Sequence, residues 1–238
     1  MTIDTCKARL YHFCICFRCI HLYFGVAVML LLKTENLAHV KREESDITRF
    51  PNILMNEGEA ICIFGKSGSG KGLLLKLAAG LLKPEWGSSK QANVAKSYVF
   101  GENGLLNNYM VYENLIIPAM FSSFQESSEH TVMAALEKFK LLNIQNNVVG
   151  NLPEAPKRLI QYARAEVLQP KLLFIEEPLK SVRDEHHPLI KNWLASFIKE
   201  KRGACLFTST SSECAEHISA TIIELSGGDK TIKTFIAE

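Results

Sequence analysis

Eight residues, Gly65-Lys66-Ser67-Gly68-Ser69-Gly70-Lys71-Gly72, constrain this chain more than any other stretch. They follow the apolar run Ala60-Ile61-Cys62-Ile63-Phe64 and precede Leu73, Leu74, Leu77 and Leu81, which recur at helical spacing. A short apolar run bounded by turn residues reads as a buried strand, so the glycines join a strand to a helix. In that context glycine lets the backbone fold into a nest of N–H groups around a phosphate, and the helix N-terminus adds partial positive charge. Lys71 is placed to reach the β- and γ-phosphates of a nucleotide. The competing reading, a glycine-rich turn with no ligand, accounts for neither the lysine nor the flanking strand and helix. Residues 65 to 72 are therefore the candidate nucleotide-binding residues. The pattern G-x-x-x-x-G-K-[ST] ends in a hydroxyl that ligates Mg²⁺, and Gly72 stands in its place.

The 238 residues, 47 % of them apolar, suffice for one large domain or a domain with an inserted lobe. Lys and Arg number 27 against 25 Asp and Glu, a balance that gives no call for nucleic acid or an anionic membrane surface as partner. Of seven cysteines, Cys6, Cys14, Cys16 and Cys19 fall near the N-terminus, Cys62 lies in the expected core strand, and Cys205 and Cys214 are scattered. An odd count without a framework suits a reducing compartment.

Residues 10 to 32 are mostly apolar but interrupted by Arg18 and two histidines. The length would span a bilayer, yet the central arginine costs about 2.5–3.5 kcal/mol on insertion, and no small-residue cleavage site follows. Cys14, Cys16, Cys19 and His21 lack a second half at zinc-finger distance. Val26 to Leu32 reads as the first strand of the domain, and residues 1–25 as an apolar, cysteine-rich extension. Further on, Leu225-Ser226-Gly227-Gly228-Asp229 lies between the strand-like runs 221–225 and 231–236, which makes it a hairpin turn. Val132, Ala135, Leu136, Phe139 and Leu142 put a helix within 126–142.

A glycine-glutamate turn at Gly58-Glu59, a strand, the loop, and then Leu74-Leu75-Lys76-Leu77-Ala78-Ala79-Gly80-Leu81-Leu82-Lys83-Pro84 with Gly87-Ser88 resemble the opening of the nucleotide-binding subunit of an ABC transporter. The similarity continues in register over about residues 26 to 238. Ala163-Arg164-Ala165 and the run Leu172-Leu173-Phe174-Ile175-Glu176-Glu177-Pro178 match the family's helix end and Walker B strand. This resemblance implies an α/β P-loop NTPase of ABC type: a mainly parallel sheet, an antiparallel edge from residues 26 to 64, and a helical subdomain near 102–157. It implies ATP and Mg²⁺ as cofactors, the metal site being weakened. It also implies a membrane permease as partner, a second nucleotide-binding subunit in a homodimer or heterodimer, and a peripheral position on the cytoplasmic face of the plasma membrane. The phrase Tyr112-Glu113-Asn114-Leu115-Ile116-Ile117-Pro118 looks most like bacterial importers and the Mla/Mce-type phospholipid carriers.

By the same resemblance Glu177 holds the position of the catalytic glutamate, and Glu176 holds that of the aspartate that ligates Mg²⁺ through water, with displaced geometry. Two solvated surface charges would be the bland reading of that pair. Elsewhere the family pattern is broken. Gly101 occupies the Q-loop glutamine, Leu152-Pro153-Glu154-Ala155-Pro156 occupies the signature L-S-G-G-Q, and Ser209 occupies the histidine that contacts the γ-phosphate. Arg183 stands at the D-loop aspartate, and Val40 or Lys41 at the aromatic that stacks on adenine. Residues 152–156 read as a proline-rich structural loop, since Pro153 and Pro156 have no N–H to offer a phosphate. The expected function is an ATP-binding transporter subunit with weak hydrolysis. The alternatives are a non-hydrolysing regulatory or structural partner and, less in keeping with the register, a non-ABC phosphate-loop enzyme such as a kinase.

Overall fold

The computed structural model describes residues 28–40, 47–121, 129–200, 203–218, 220–225 and 234–235. The extension at 1–25, with its four cysteines, lies outside the described residues.

Strand β1 (Leu30–Val40) pairs antiparallel with β2 (Ile47–Arg49) and β3 (Leu54–Asn56). Thr34 fixes part of this register, because its N–H donates to Ile53 O and its hydroxyl accepts from Ile53 N, both at 2.8 Å. Next, β4 (Ala60–Phe64) passes into the interior, with Ala60 to Ile63 all buried, and the glycine loop leads to α1 (Lys71–Ala78). The chain then returns to the first sheet as β5 (Trp86–Gln91), antiparallel to β1.

Strand β6 (Lys96–Val99) opens the edge of the second sheet. Three helices follow, α2 (Val111–Met120), α3 (Glu129–Lys138) and α4 (Glu154–Leu168). The chain continues through β7 (Leu172–Glu176), α5 (His187–Lys199), β8 (Ala204–Ser209), α6 (Glu213–His217), β9 (Thr221–Glu224) and β10 (Thr234–Phe235). The strand order is β10-β9-β4-β8-β7-β6, parallel throughout except for β10. Thr234 and Phe235 face Ile223 and Ile222 across that antiparallel pair, as the expected hairpin requires; its turn lies outside the described residues.

The antiparallel part is thus a separate four-stranded sheet, not an edge of the parallel one, and the span 26–64 needs correcting. Ala60–Phe64 belongs to the parallel sheet, and Trp86–Gln91 replaces it in the antiparallel one. Side-chain alternation explains why β4 is buried on both faces. Ile61 and Ile63 join Leu74, Leu75, Met55 and Phe174 in the core between the two sheets. Cys62 points the other way, with Leu173, Ile175 and Phe207, toward α4 and α5. Phe139, Tyr162 and Trp193 seal that second core, the indole ring edge-on to both others at 5.9 and 5.4 Å between centroids.

Val132, Ala135 and Leu136 are buried on α3 as their spacing requires; Phe139 is buried one residue past its end, and Leu142 is exposed. Of residues 152–156 only Leu152 and Pro153 precede the helix; the rest are helical, not loop. Pro153 caps α4, and Glu154, Ala155 and Pro156 form its first turn, where a missing N–H is tolerated because those donors have no intrahelical partner.

On α4, Arg158 is 2 % exposed and Gln161 4 %. The Arg158 guanidinium donates to the carbonyls of Phe100, Glu176 and Glu177, the last at 2.9 Å, while Gln161 Oε1 accepts the Phe100 N–H at 2.7 Å. One turn of α4 therefore holds the strand ends of β6 and β7 together. Arg158→Leu leaves three buried carbonyls without this donor, and each such group costs about 1–3 kcal/mol, so a loss on the order of 3 kcal/mol is expected in urea unfolding. Arg158→Lys should recover only part of it, since an ammonium lacks the planar fork.

Candidate functional site

The loop between β4 and α1 opens from the middle of the parallel sheet, at the carboxyl end of β4, where ligands of open α/β sheets bind. Gly68 and Gly70 have φ of 81° and 91°, a left-handed conformation that glycine adopts without penalty, and Gly70 is the residue before the first turn of α1. At Gly65 the obstacle is space: a Cβ would lie 2.5 Å from Leu225 O. Lys71 is buried, and its ammonium folds back into the loop to donate to Gly65 O at 2.7 Å and Lys66 O at 3.0 Å. Residues 65 to 72 are thus one structural unit. Together with the free N–H groups at the start of α1 they form a cradle that fits an anionic phosphate.

A cleft of about 770 Å³ adjoins the loop, lined by Ser67, Gly68, Gly70, Lys71, Gly72, Lys76, Glu176, Glu177, Lys180 and residues 208 to 211 among others. Glu177 follows β7 directly, at φ 47°, a strained backbone for a residue with a side chain. Its N–H donates to Thr208 O and Thr208 Oγ1, each at 3.1 Å. The carboxylate is aimed by the Thr210 N–H, 3.1 Å from Oε2, and lies 3.6 Å from Lys71 Nζ. It therefore faces the phosphate cradle.

Glu176 is held differently. Oε1 accepts the Tyr98 hydroxyl at 2.8 Å and lies 3.2 Å from Lys76 Nζ; Oε2 accepts the Gly101 N–H at 2.8 Å. Burial acts to raise its pKa, but the Gly101 N–H, the Tyr98 hydroxyl and Lys76 outweigh it and leave the carboxyl below its usual 4.5. Burial and the neighbouring carboxylate push the Tyr98 phenol well up, so it acts as a donor at neutral pH. A Cβ at Gly101 would meet Glu176 Oε2 at 2.9 Å, so the longer acidic side chain fills room that a larger residue at 101 would need.

For Mg²⁺ the donor set is short. A hard divalent ion of this size requires near-octahedral oxygen ligation. Gly72 and Gly101 have no side-chain oxygen, and three donors already occupy the Glu176 carboxylate, one of them a cation. The side chains at 72, 101 and 176 do not fit the ion. Among the described residues there is no cluster of three or more His, Cys, Asp or Glu that would hold a metal elsewhere.

Ser209 ends β8 as expected, and its hydroxyl turns to Ser211 O at 2.6 Å, within its own loop. Sequence reasoning missed Lys76, Tyr98, Thr208 and Thr210. Lys76 did carry a signal, being the one cation among Leu73, Leu74, Leu75, Leu77 and Ala78.

Residues 51–180 match the family described as ABC transporter. The lipoprotein-releasing system ATP-binding protein LolD of Rickettsia bellii is 26 % identical over 203 residues, covering 79 % of this chain and 92 % of the relative. LolD of Buchnera aphidicola is 33 % identical over 156 residues, covering 58 % and 68 %. The sulfate/thiosulfate import ATP-binding protein CysA of Mesostigma viride is 30 % identical over 155 residues, covering 60 % and 44 %. Among solved structures, a dimeric ATP-binding cassette in a post-hydrolysis state bound to ADP and Pi superposes with a TM-score of 0.78 at 19 % identity, covering 87 % of this chain and 99 % of that one. With the phosphate loop, the paired acidic residues at the end of β7 and the family match at 51–180, over more than half its length, the chain belongs to the ABC transporter family.

Proposed function

We propose that the protein is an ATP-binding subunit that works with a membrane permease and hydrolyses ATP weakly by itself. The observation that carries the reading is the juxtaposition of an intact phosphate cradle with a site that lacks most of the family's side-chain donors. The backbone from Gly65 to Gly72, the N-terminus of α1 and Lys71 supply binding, all of it local to the loop. Glu177, aimed by Thr210 and facing Lys71, is the residue that orients or deprotonates an attacking water. Against turnover stand Gly72, Gly101 and Ser209, and a signature segment that opens α4 with Pro153 and Glu154, which present no N–H at the first and a negative charge at the second.

The relatives named above are ATP-binding components of systems for lipoprotein release and sulfate import, which supports a permease as partner at the cytoplasmic face of the membrane. Among the described residues no helix is long and apolar enough to cross a membrane. A second nucleotide-binding subunit completes the assembly, and dimeric cassettes of this fold support that arrangement. If that partner is intact, its signature loop serves this chain's phosphate cradle. A second reading, a regulatory subunit that binds but does not hydrolyse, is favoured specifically by the Pro153–Pro156 segment.

Lys71→Ala should remove ATP binding, measured by calorimetry, with the fold intact by circular dichroism. For the purified protein, turnover is expected to fall below the ordinary enzyme median of about 10 s⁻¹ by at least about 10², the scale of one missing charge-stabilising group. Median turnover by the unmodified chain in a phosphate-release assay would show that the missing donors are not needed. Without a permease, the protein should leave the membrane pellet in a high-salt or carbonate wash; retention there would argue for an anchor of its own.

A further inference from the structure

We propose that this site takes its nucleotide without a divalent cation, and that the Lys76 ammonium supplies the positive charge such an ion would bring. The inference rests on the nucleotide site proposed above and goes beyond it in assigning the counter-charge.

Gly72 and Lys76 are four residues apart on α1 and share one face of the helix. Long side chains on a helix lean back toward its N-terminus, which turns the Lys76 side chain toward the loop end of α1. The place a side chain at 72 would take is open space, since a Cβ there would meet no atom within 4 Å. The ammonium arrives 3.2 Å from Glu176 Oε1, on the wall of the cleft that Lys71 also lines. It therefore occupies the carboxylate that would hold the metal, while position 72 has no hydroxyl to hold it with.

The other changes fit one arrangement. Glutamate at 176 reaches far enough to take the Gly101 N–H and the Tyr98 hydroxyl, which fixes the carboxylate without a metal. Unbalanced, that carboxylate would repel a triphosphate in the cleft; paired with Lys76 it does not. The Lys76 side chain is 41 % exposed, so the ammonium has room to share its three donors between Glu176 and a phosphate oxygen. Lys71, Lys76 and the start of α1 then neutralise the nucleotide as a set built into the chain.

The test is calorimetric titration of the full chain with ATP, once in excess EDTA and once in excess Mg²⁺. We expect the two dissociation constants to agree within about threefold, and Lys76→Met to weaken binding by about tenfold in both buffers, the scale of a charge-assisted hydrogen bond. The triple variant Gly72→Ser, Gly101→Gln, Glu176→Asp should bind at least about tenfold more tightly with Mg²⁺ than without it. Tighter binding of the unmodified chain in Mg²⁺ than that threefold margin allows overturns the proposal, as does a Lys76→Met chain that binds in EDTA like the unmodified one. Thermal melts confirm that each variant is folded; should the triple variant not fold, the two titrations of the unmodified chain and that of Lys76→Met decide. A folded chain that binds ATP in neither buffer and matches Lys71→Ala defeats the nucleotide site itself, a distinct result.

Discussion

The grip of α4 on the ends of β6 and β7 is the interaction on which the arrangement of the site depends. Arg158 takes the carbonyls of Phe100, Glu176 and Glu177, and Gln161 takes the Phe100 N–H. A guanidinium can do this because it is planar, permanently charged and carries five donors, so its burial is offset by acceptors in fixed positions. The carbonyls belong to the residues whose side chains or next neighbours form the acidic half of the site. Glu176 then reaches Gly101, which follows Phe100, and Glu177 turns to Thr208 and Thr210 at the end of β8. Three strand ends and one helix are thereby tied into a rim around the phosphate loop.

On the opposite side of the cleft the constraint is backbone geometry. The loop packs against Leu225 so closely that residue 65 has no room for a side chain, and Gly68 and Gly70 turn the chain into the helix. This half of the site depends on local conformation, the other half on side chains drawn from distant segments. In the proposed function, nucleotide binding draws on the more self-contained half, and hydrolysis on the more distributed one.

That division also explains what the sequence revealed. The strand, loop and helix at 60–78 were legible because each of their signals is carried within a few residues: a short apolar run, glycines, then helical spacing. The same holds for the strand ending in Glu176 and Glu177, for the pairing of residues 221–224 with 234–235, and for the buried face of α3. What was not legible involved partners far along the chain. Trp86–Gln91 joins β1 only because the turn after α1 brings it back, and Gly87 tells why that strand begins there: a Cβ would lie 2.3 Å from the carbonyls of Glu35 and Asn36. Arg158 and Gln161 carry no local signal of their role, because Phe100, which both hold, lies about sixty residues earlier. Residues 152–156 read as a loop because two prolines suggest one, yet both fall where a helix has no use for an N–H. Lys76 is the one cation in a leucine run, and its partner Glu176 lies a hundred residues away.

The fit between positions 101 and 176 has a consequence for how this chain can change. An aspartate at 176 would withdraw the carboxylate and leave the Gly101 N–H and the Tyr98 hydroxyl without their acceptor. A glutamine at 101 would bring its Cβ within 2.9 Å of Glu176 Oε2 and push the tip of that side chain aside, off the Gly101 N–H. Each single step toward the common family pattern thus disturbs the present pairing, the first by withdrawing its acceptor and the second by displacing it. The positions meet as a tooth meets its notch, so drift at one of them is felt at the other.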